Sequence, residues 1–296
     1  MKTRTIVKKD WSSLNMSSHN LPTQVKRHTL RTLQALKDRG EKLTMLTAYD
    51  VVTSHFLDRA GLDMILVGDS LGNVVLGFDT TIPVTLDDMI RHTAAVVRGS
   101  SRALVILDLP FGTTTDPETA LRSAVRAFQE TGCQAVKLEG GLHAVAVTQR
   151  LTEAGIPVMA HIGLTPQSVH QQGGFRTHGK VLSEADQLKA AARELEKAGA
   201  FAIVLECVTA DLASDISKTL RIPTIGIGSG PGCDGQVLVI NDLIGLSISP
   251  PPAFAKPVAN VAVIIENAAR QFIESVRKPS ETKIRLTGEV HEKTDA

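Results

Sequence analysis

The sequence predicts a (β/α)8 barrel, and three observations support this fold class. Short apolar runs typical of buried parallel strands alternate with helix-like segments along most of the 296 residues. The first run lacks the glycine-rich phosphate loop that usually follows the first strand of an open, doubly wound sheet. Several runs end on an ionisable side chain, as expected where parallel barrels carry their active sites. Those side chains are Asp69, Asp108, Glu139, His161 and Glu206.

Eight strands are expected because eight apolar runs are short, rich in Val, Ile and Leu, and bounded by turn residues. A parallel strand buried on both faces excludes charge from its interior, so the ionisable residues mark the strand ends. The predicted strands span residues 43–48, 63–68, 103–108, 135–139, 157–161, 201–206, 223–227 and 243–248.

Helices are expected between the strands, and two of them carry clear start signals. Asp116 before Pro117 places a hydrogen-bond acceptor at the N-cap and proline at the first helical position. Thr85 with Asp88 resembles a capping box. The predicted helices span residues 51–60, 86–98, 117–131, 142–154, 184–198 and 209–220, with a last one near 260–277.

One catalytic domain with two polar ends is expected. Residues 1–25 lack periodicity and are interpreted as a flexible N-terminal extension, and residues 279–296 as a polar C-terminal tail. Residues 26–278 are interpreted as a single barrel domain. No apolar segment of the kind found in secretory signals follows the N-terminal lysines, so we expect a cytoplasmic protein. A mitochondrial transit peptide in the extension stays open.

Composition argues against several classes of function. The net charge is +1 and aromatic residues make up only 3%, which does not favour nucleic-acid binding. The chain contains no run of 18 apolar residues, so no membrane span is expected. Cys133, Cys207 and Cys233 are odd in number and widely spaced, which supports neither a disulfide framework nor a zinc site.

Three carboxylates at consecutive strand ends predict a magnesium site. Asp69, Asp108 and Glu139 offer the hard oxygen ligands that Mg²⁺ prefers. An ion held there is suited to chelate a substrate with two adjacent oxygens, such as a 2-oxo acid, and to stabilise an enolate as a Lewis acid. Any one of these acids alone could equally be a helix cap or a rim salt bridge, whereas three together favour the metal.

Three further residues suit the same chemistry. Lys137 precedes Glu139 by two residues, so both project to one face of a strand, where Lys137 is placed to neutralise a substrate carboxylate. Glu206 ends a strongly apolar strand and suits a general base, with a structural ion pair as the alternative. His161 fits a hydrogen-bond donor to an enolate oxygen, a metal ligand or a structural histidine. The segment 230–235 matches GxGxxG by count but opens no evident helix, and we interpret it as a turn.

A series of motifs resembles the ketopantoate hydroxymethyltransferase family. The matches occur in order over roughly residues 25 to 275, and together they are highly specific. They include Thr47-Ala48-Tyr49-Asp50, Val67-Gly68-Asp69-Ser70-Leu71-Gly72, Asp108-Leu109-Pro110-Phe111, Lys137-Leu138-Glu139-Gly140-Gly141, His161-Ile162-Gly163-Leu164-Thr165-Pro166-Gln167-Ser168 and Leu205-Glu206-Cys207-Val208.

The resemblance implies a role for each matched residue. Asp69 and Asp108 would bind Mg²⁺ directly, and Glu139 would complete the metal site. Glu206 would remove the proton from C3 of 3-methyl-2-oxobutanoate. The enolate would attack the one-carbon unit of 5,10-methylenetetrahydrofolate, giving 2-dehydropantoate for pantothenate synthesis. The family fold is a (β/α)8 barrel, commonly assembled as a homodecamer. The 2-oxo acid would be held by Ser70, Asp108, Lys137 and His161.

Departures from the family pattern and two alternatives stay open. Phe78, His178 and Ser229 stand where the family usually has other residues. The first alternative is a Mg²⁺-dependent C–C lyase or mutase of the phosphoenolpyruvate mutase and isocitrate lyase type. Those enzymes usually carry a reactive cysteine on a loop after a middle strand, where this chain has the segment 138–141, Leu-Glu-Gly-Gly. The second alternative is a non-catalytic scaffold. The presence of all the proposed metal ligands and of the proposed base argues against it.

Overall fold

The computed structural model describes residues 26–174 and 176–278, and within them eight parallel strands close into a barrel in chain order. The interpretations of residues 1–25 and 279–296 as extension and tail lie outside the described residues. The strands are β1 Leu43–Thr47, β2 Met64–Val67, β3 Leu104–Asp108, β4 Ala135–Glu139, β5 Val158–Gly163, β6 Ala202–Glu206, β7 Thr224–Ile227 and β8 Gly235–Leu238.

Helices lie between the strands, as the (β/α)8 prediction requires. They are α1 Leu30–Asp38, α2 Val51–Ala60, α3 Leu71–Val74, α4 Leu86–Gly99, α5 Pro117–Thr131, α6 Val145–Glu153, α7 Val169–Gln172, α8 Leu182–Lys197, α9 Ala210–Thr219, α10 Ile240–Ile244 and α11 Val261–Arg277. The predicted caps are confirmed: Asp116 accepts from two N–H groups of α5, and Thr85 and Asp88 form a reciprocal capping box. Short 3₁₀ turns at Leu142–Ala144 and Pro166–Ser168 follow β4 and β5. Of the described helices, none is long and apolar enough to cross a membrane.

The core has two apolar layers that follow from the alternation of side chains along each strand. The outer layer packs the sheet against the helices and includes Val136 and Leu138 of β4. The inner layer fills the barrel and includes Ala135 of β4 and Ile106 of β3. Lys137 continues the inward row of Ala135, so the polar groups sit on top of an apolar plug at the carboxyl ends of the strands.

The predicted eighth strand at 243–248 is wrong. Strand β8 lies earlier, at Gly235–Leu238, and much of the apolar run after it forms the helix α10. Strand β8 pairs with β1, where Gly235 lies opposite Leu43. A β-carbon at Gly235 would lie only 2.6 Å from the carbonyl oxygen of Leu43, so this approach requires glycine. The last strand therefore begins inside the glycine-rich segment that the sequence analysis interprets as a turn.

Helix α1 is absent from the predicted elements, and it belongs to the amino-terminal end of the barrel. Its only buried side chain, Leu33, joins the inner apolar layer. Lys37 of α1 binds Asp234 at 2.9 Å, just before β8. Leu30, Leu33 and Leu36 give α1 an amphipathic pattern that was present in the sequence, so its absence from the predicted elements is an omission.

Candidate active site

The register of the barrel brings the ionisable residues together at one end. Asp108 at the end of β3 lies opposite Lys137 in β4, and Glu139 at the end of β4 lies opposite His161 in β5. Side chains at paired positions of neighbouring strands project to the same face. Glu206 is the last residue of β6, and its side chain reaches the same space.

All the predicted site residues line one cavity of about 140 Å³ at the carboxyl ends of the strands. Its lower wall is apolar, formed by Leu66, Val204, Ile227 and Val237. Five acids and two basic groups line this small volume, and Asp79 is the acid that lies outside the predicted set. The predicted site residues in this lining are Asp69, Ser70, Asp108, Lys137, Glu139, His161 and Glu206.

Lys137 is a buried cation bound to one carboxylate through two contacts. Its Nζ donates to both Oδ1 and Oδ2 of Asp108 at 2.7 Å, and lies 3.7 Å from Oε1 of Glu139. Burial disfavours the charged ammonium group, but the charges of Asp108, Glu139 and Asp69 outweigh burial and raise the pKa of Lys137 above its ordinary value. Lys137 is therefore positively charged near neutral pH.

Asp69 and Asp108 are crowded carboxylates. The backbone N–H of Asp69 donates to Oδ2 of Asp108 at 3.3 Å, and both side chains are buried. Burial raises the pKa of Asp69 well above its ordinary value, and the charges of Asp108 and Glu139 raise it further. Burial also raises the pKa of Asp108, despite the opposing charge of Lys137. The raised pKa values mean that burial and mutual repulsion disfavour the ionised form of both carboxyl groups more than Lys137 stabilises it.

The donor set fits a hard cation, although it is not closed around one. Three buried carboxylates, those of Asp69, Asp108 and Glu139, face a single lysine. Within residues 26–174 and 176–278, no group of three or more His, Cys, Asp or Glu side chains is arranged closely enough to hold a metal ion. Both oxygens of Asp108 are instead engaged by Lys137. A cation at this position would therefore require Lys137 to release one oxygen of Asp108.

His161 lies between two acids. Its Nδ1 is 3.5 Å from Oε1 of Glu139, and its Nε2 is 3.2 Å from Oε2 of Glu206. Neither ring nitrogen reaches hydrogen-bond geometry with a described residue. Burial and the Lys137 charge disfavour the imidazolium, but the two acids raise the pKa of His161 to about 9. For Glu139, burial acts to raise the pKa, but the neighbouring His161 and the charge of Lys137 outweigh burial and lower it.

The backbone around Glu206 is held from both sides. Cys207 adopts a left-handed conformation with φ of 50°, which turns the chain directly after the carboxylate. The N–H of Cys207 donates to Ile227 and its carbonyl accepts from His178. The buried Ser229 hydroxyl donates to the carbonyl of the residue before Glu206 at 2.8 Å. The Glu206 side chain is 17% exposed, so it remains accessible from the cavity.

Ser70 follows Asp69 and is oriented by an aromatic hydroxyl. The Oγ of Ser70 lies 2.9 Å from the hydroxyl of Tyr49, which is buried. The carbonyl of Tyr49 is in turn 2.6 Å from Nδ1 of His92 on α4. Tyr49 is part of a motif quoted above, but it is not among the predicted site residues.

Gln167 is a site residue that the sequence analysis does not identify. It lies in the 3₁₀ turn after β5 and is 8% exposed. Its Nε2 donates to Oδ2 of Asp69 at 2.9 Å, and its backbone N–H donates to Oε2 of Glu139 at 3.0 Å. A neutral amide in a loop carries none of the charge that marks the ionisable residues at the strand ends. Its position within the motif 161–168 is the only sequence signal that points to it.

By sequence, the chain is similar to known proteins of one family. A family model described as ketopantoate hydroxymethyltransferase matches residues 27–280. A 3-methyl-2-oxobutanoate hydroxymethyltransferase of Chloroflexus aurantiacus is 56% identical over 251 residues, covering 85% of this chain and 89% of the relative. An enzyme of the same name from Moorella thermoacetica is 53% identical over 256 residues, covering 86% and 95%.

Solved structures with the same fold are more distant in sequence. A 2,3-dimethylmalate lyase of the PEP mutase/isocitrate lyase superfamily has a TM-score of 0.56 and 16% identity, covering 88% of this chain and 91% of that one. A phosphoenolpyruvate phosphomutase from Streptomyces platensis has a TM-score of 0.58 and 14% identity, covering 85% and 88%. These likenesses show the barrel fold alone. The family model and the similar enzymes confirm the resemblance seen in the motifs, and the chain belongs to the ketopantoate hydroxymethyltransferase family.

Proposed function

We propose that the chain transfers a hydroxymethyl group from 5,10-methylenetetrahydrofolate to 3-methyl-2-oxobutanoate, giving 2-dehydropantoate. The observation that carries this proposal is the single cavity in which the carboxylate of Glu206 faces Lys137 and an acidic cluster. An accessible carboxylate beside a buried cation suits removal of a proton next to a carbonyl group. Relatives more than half identical to this chain bear the name of this activity.

Lys137 is proposed to bind the carboxylate of the 2-oxo acid. Its buried ammonium group is charged and lines the cavity, so a second carboxylate would form a charge-assisted hydrogen bond with it. Ser70 and His161 would orient the remaining oxygens, because each presents a polar group to the same space. The backbone geometry of neighbouring strands holds these donors in place before the substrate enters.

Asp69 and Asp108 are proposed to hold a divalent cation, taken to be Mg²⁺, with Glu139 beside them. The support is the excess of buried carboxylates over cations described above. When bound, such an ion supplies Lewis-acid stabilisation of negative charge on the substrate oxygens.

Glu206 is proposed to be the general base that takes the proton from C3. Its side chain is the most accessible of the predicted acids, and it lines the cavity together with the apolar Val204 and Ile227. That wall suits the branched alkyl group of the oxo acid, which places C3 near the carboxylate. His161, 3.2 Å away, would stabilise the charge of Glu206 before the proton moves. The methylene carbon exchanges its two C–N bonds to folate for a C–O bond to water and a C–C bond to C3. Tetrahydrofolate leaves with two protons on its nitrogens, which balance the one taken from C3 and the one released by water.

The transfer is tested with 5,10-methylenetetrahydrofolate labelled with ¹³C in its methylene carbon. We expect the label in the new hydroxymethyl group of 2-dehydropantoate, seen by NMR, only when enzyme, oxo acid and folate are all present. Incorporation without the oxo acid, or none with all three, would contradict the proposal. The lyase or mutase alternative predicts conversion of a C–C or C–P substrate without folate. The chain shares only the barrel fold with the distant lyase and mutase structures, whereas its relatives with high sequence identity favour the transferase.

Self-association into a homo-oligomer, a decamer by family resemblance, is part of this proposal. Helix α11 supports it, because none of its side chains is buried within the described chain. Light scattering of the purified full chain tests it, and a monomeric mass would contradict it. The large apolar side chains of α11 that are exposed are Val263, Ile264, Ile265, Phe272, Ile273 and Val276.

A further inference from the structure

We propose that Gln167 is a positioning residue that holds Asp69 and Glu139 in the orientation needed for cation binding. This inference rests on the proposed function, since it assumes that these acids face a bound cation. Gln167 itself would touch neither cation nor substrate. It would act through the two carboxylates.

The contacts of Gln167 span three neighbouring strand ends. Its Nε2 donates to Oδ2 of Asp69 after β2 at 2.9 Å and to the carbonyl of Leu109 after β3 at 3.0 Å. Its backbone N–H donates to Oε2 of Glu139 at the end of β4 at 3.0 Å. A loop that follows β5 thus crosses the barrel mouth and reaches both outer members of the acidic cluster.

The orientation of the Gln167 amide is determined by its partners. Both acceptors of Nε2 are oxygens, one of a carboxylate and one of a carbonyl group. Reversing the amide would place its own oxygen against these two oxygens, which repel it. The side chain is 8% exposed, so water offers little compensation. Gln167 is therefore a donor at this position, and a residue without N–H groups cannot replace it.

Gln167 donates to one carboxylate oxygen of each acid and leaves the other oxygen available. Gln167 occupies Oδ2 of Asp69 and Oε2 of Glu139. Oδ1 of Asp69 accepts no hydrogen bond from the residues that the structure describes, and Oε1 of Glu139 faces Lys137 and His161. Mg²⁺ demands near-ideal octahedral geometry, so fixed oxygens matter for its affinity. When Asp108 exchanges Lys137 for a cation, the other two acids would be held still by Gln167.

The test is the substitution Gln167→Met, which keeps the length of the side chain and removes its N–H donors to Asp69 and Leu109, while the backbone N–H that donates to Glu139 remains. Mn²⁺ binding to the full chain is measured by electron paramagnetic resonance, and Mg²⁺ binding by the ion concentration at half-maximal thermal stabilisation. We expect both affinities to fall about 10–100-fold, as is typical when an outer hydrogen bond to a metal ligand is lost. At saturating Mg²⁺, turnover recovers more than it does at limiting Mg²⁺.

Gln134→Met is the matched control. Gln134 accepts from the N–H of Val105 at 3.0 Å near the start of β3, at the opposite end of the barrel. We expect this variant to lose thermal stability without any change in metal affinity. The proposal is overturned when Gln167→Met binds Mn²⁺ and Mg²⁺ within twofold of the wild type.

A second variant covers the case in which Gln167→Met does not fold. Gln167→Asn keeps the amide but shortens the side chain by one methylene group, so it cannot reach Asp69 and Leu109 together. We expect the same loss of metal affinity, and an unchanged affinity overturns the inference. When the wild type itself binds neither Mn²⁺ nor Mg²⁺, the proposed cation site fails, and this inference fails with it. When the wild type and both variants bind the metal ions equally well, the cation site stands and only the role of Gln167 is overturned.

Discussion

Removing the positive charge of Lys137 tests how much the stability of the folded protein depends on that charge. The substitution Lys137→Met keeps the side-chain length and leaves Asp69, Asp108 and Glu139 without their buried lysine. A unit charge pair at the observed 2.7 Å corresponds to about 6 kcal/mol at an effective dielectric constant of about 20. Breaking a buried pair from one side typically costs about 3–5 kcal/mol, because the remaining charge is uncompensated.

The measurement is thermal unfolding with EDTA and with Mg²⁺. For a domain of this size we expect the midpoint of the metal-free variant to fall by about 6–20 °C at pH 8. The deficit shrinks at pH 5, because protonation neutralises the abandoned carboxylates. Added Mg²⁺ should stabilise the variant more than the wild type, since the cation replaces the lost charge.

Lys37→Met is the matched control for this prediction. Lys37 is a partly buried lysine whose Nζ binds Asp234 at 2.9 Å and the carbonyl of Ile222 at 2.7 Å, at the other end of the barrel. Its loss should destabilise the fold equally with and without Mg²⁺. A Lys137→Met variant as stable as the wild type in EDTA, or one that gains no extra stability from Mg²⁺, would refute the reasoning.

Three further predictions concern pH, packing and substrate binding. In metal-free protein, burial raises the pKa of Asp69 and Asp108, so the folded state retains protons that the unfolded chain releases above about pH 4. The free energy of unfolding of Asp69→Asn, measured with urea, should therefore increase relative to that of the wild type as pH rises to 8. A difference that stays constant with pH would contradict this. Gly235→Ala places a β-carbon 2.6 Å from a carbonyl oxygen of Leu43 and should cost about 1–3 kcal/mol in urea unfolding, where an unchanged midpoint contradicts the strand contact. Tyr49→Phe removes the hydrogen bond to the neighbouring serine hydroxyl and should raise KM for the oxo acid about fivefold with little change in Tm, which steady-state kinetics and calorimetry can check.

Most of the barrel was predictable because buried parallel strands have a strong local signal. The first seven strands lie within two residues of their predicted bounds, since each is an apolar run between turn residues. The eighth fails because its identity depends on a contact between distant segments. The run 243–248 is more apolar than Gly235–Leu238, but its own glycine, Gly245, lies against Ala259, whereas Gly235 lies against Leu43 of β1.

The site was predictable to the extent that its members carry charge. Asp108 and Lys137 are recognisable because an ionisable side chain at the end of an apolar strand conflicts with burial unless it has a partner. The family and enzyme class implied by the motifs are confirmed by the relatives. Gln167 and Tyr49 escape this reasoning because a neutral amide or phenol at the edge of a core is ordinary in sequence. Only their hydrogen-bond partners in the folded structure distinguish them.

The most direct test of the central claim is exchange of the C3 proton of 3-methyl-2-oxobutanoate in D₂O, followed by NMR without folate. We predict exchange by the wild type with Mg²⁺, little exchange in EDTA, and a loss of about 10²–10⁴-fold in Glu206→Gln, which removes the general base. Folded Glu206→Gln protein that exchanges C3 at the wild-type rate, or wild-type protein that does not exchange with Mg²⁺ present, would contradict the account.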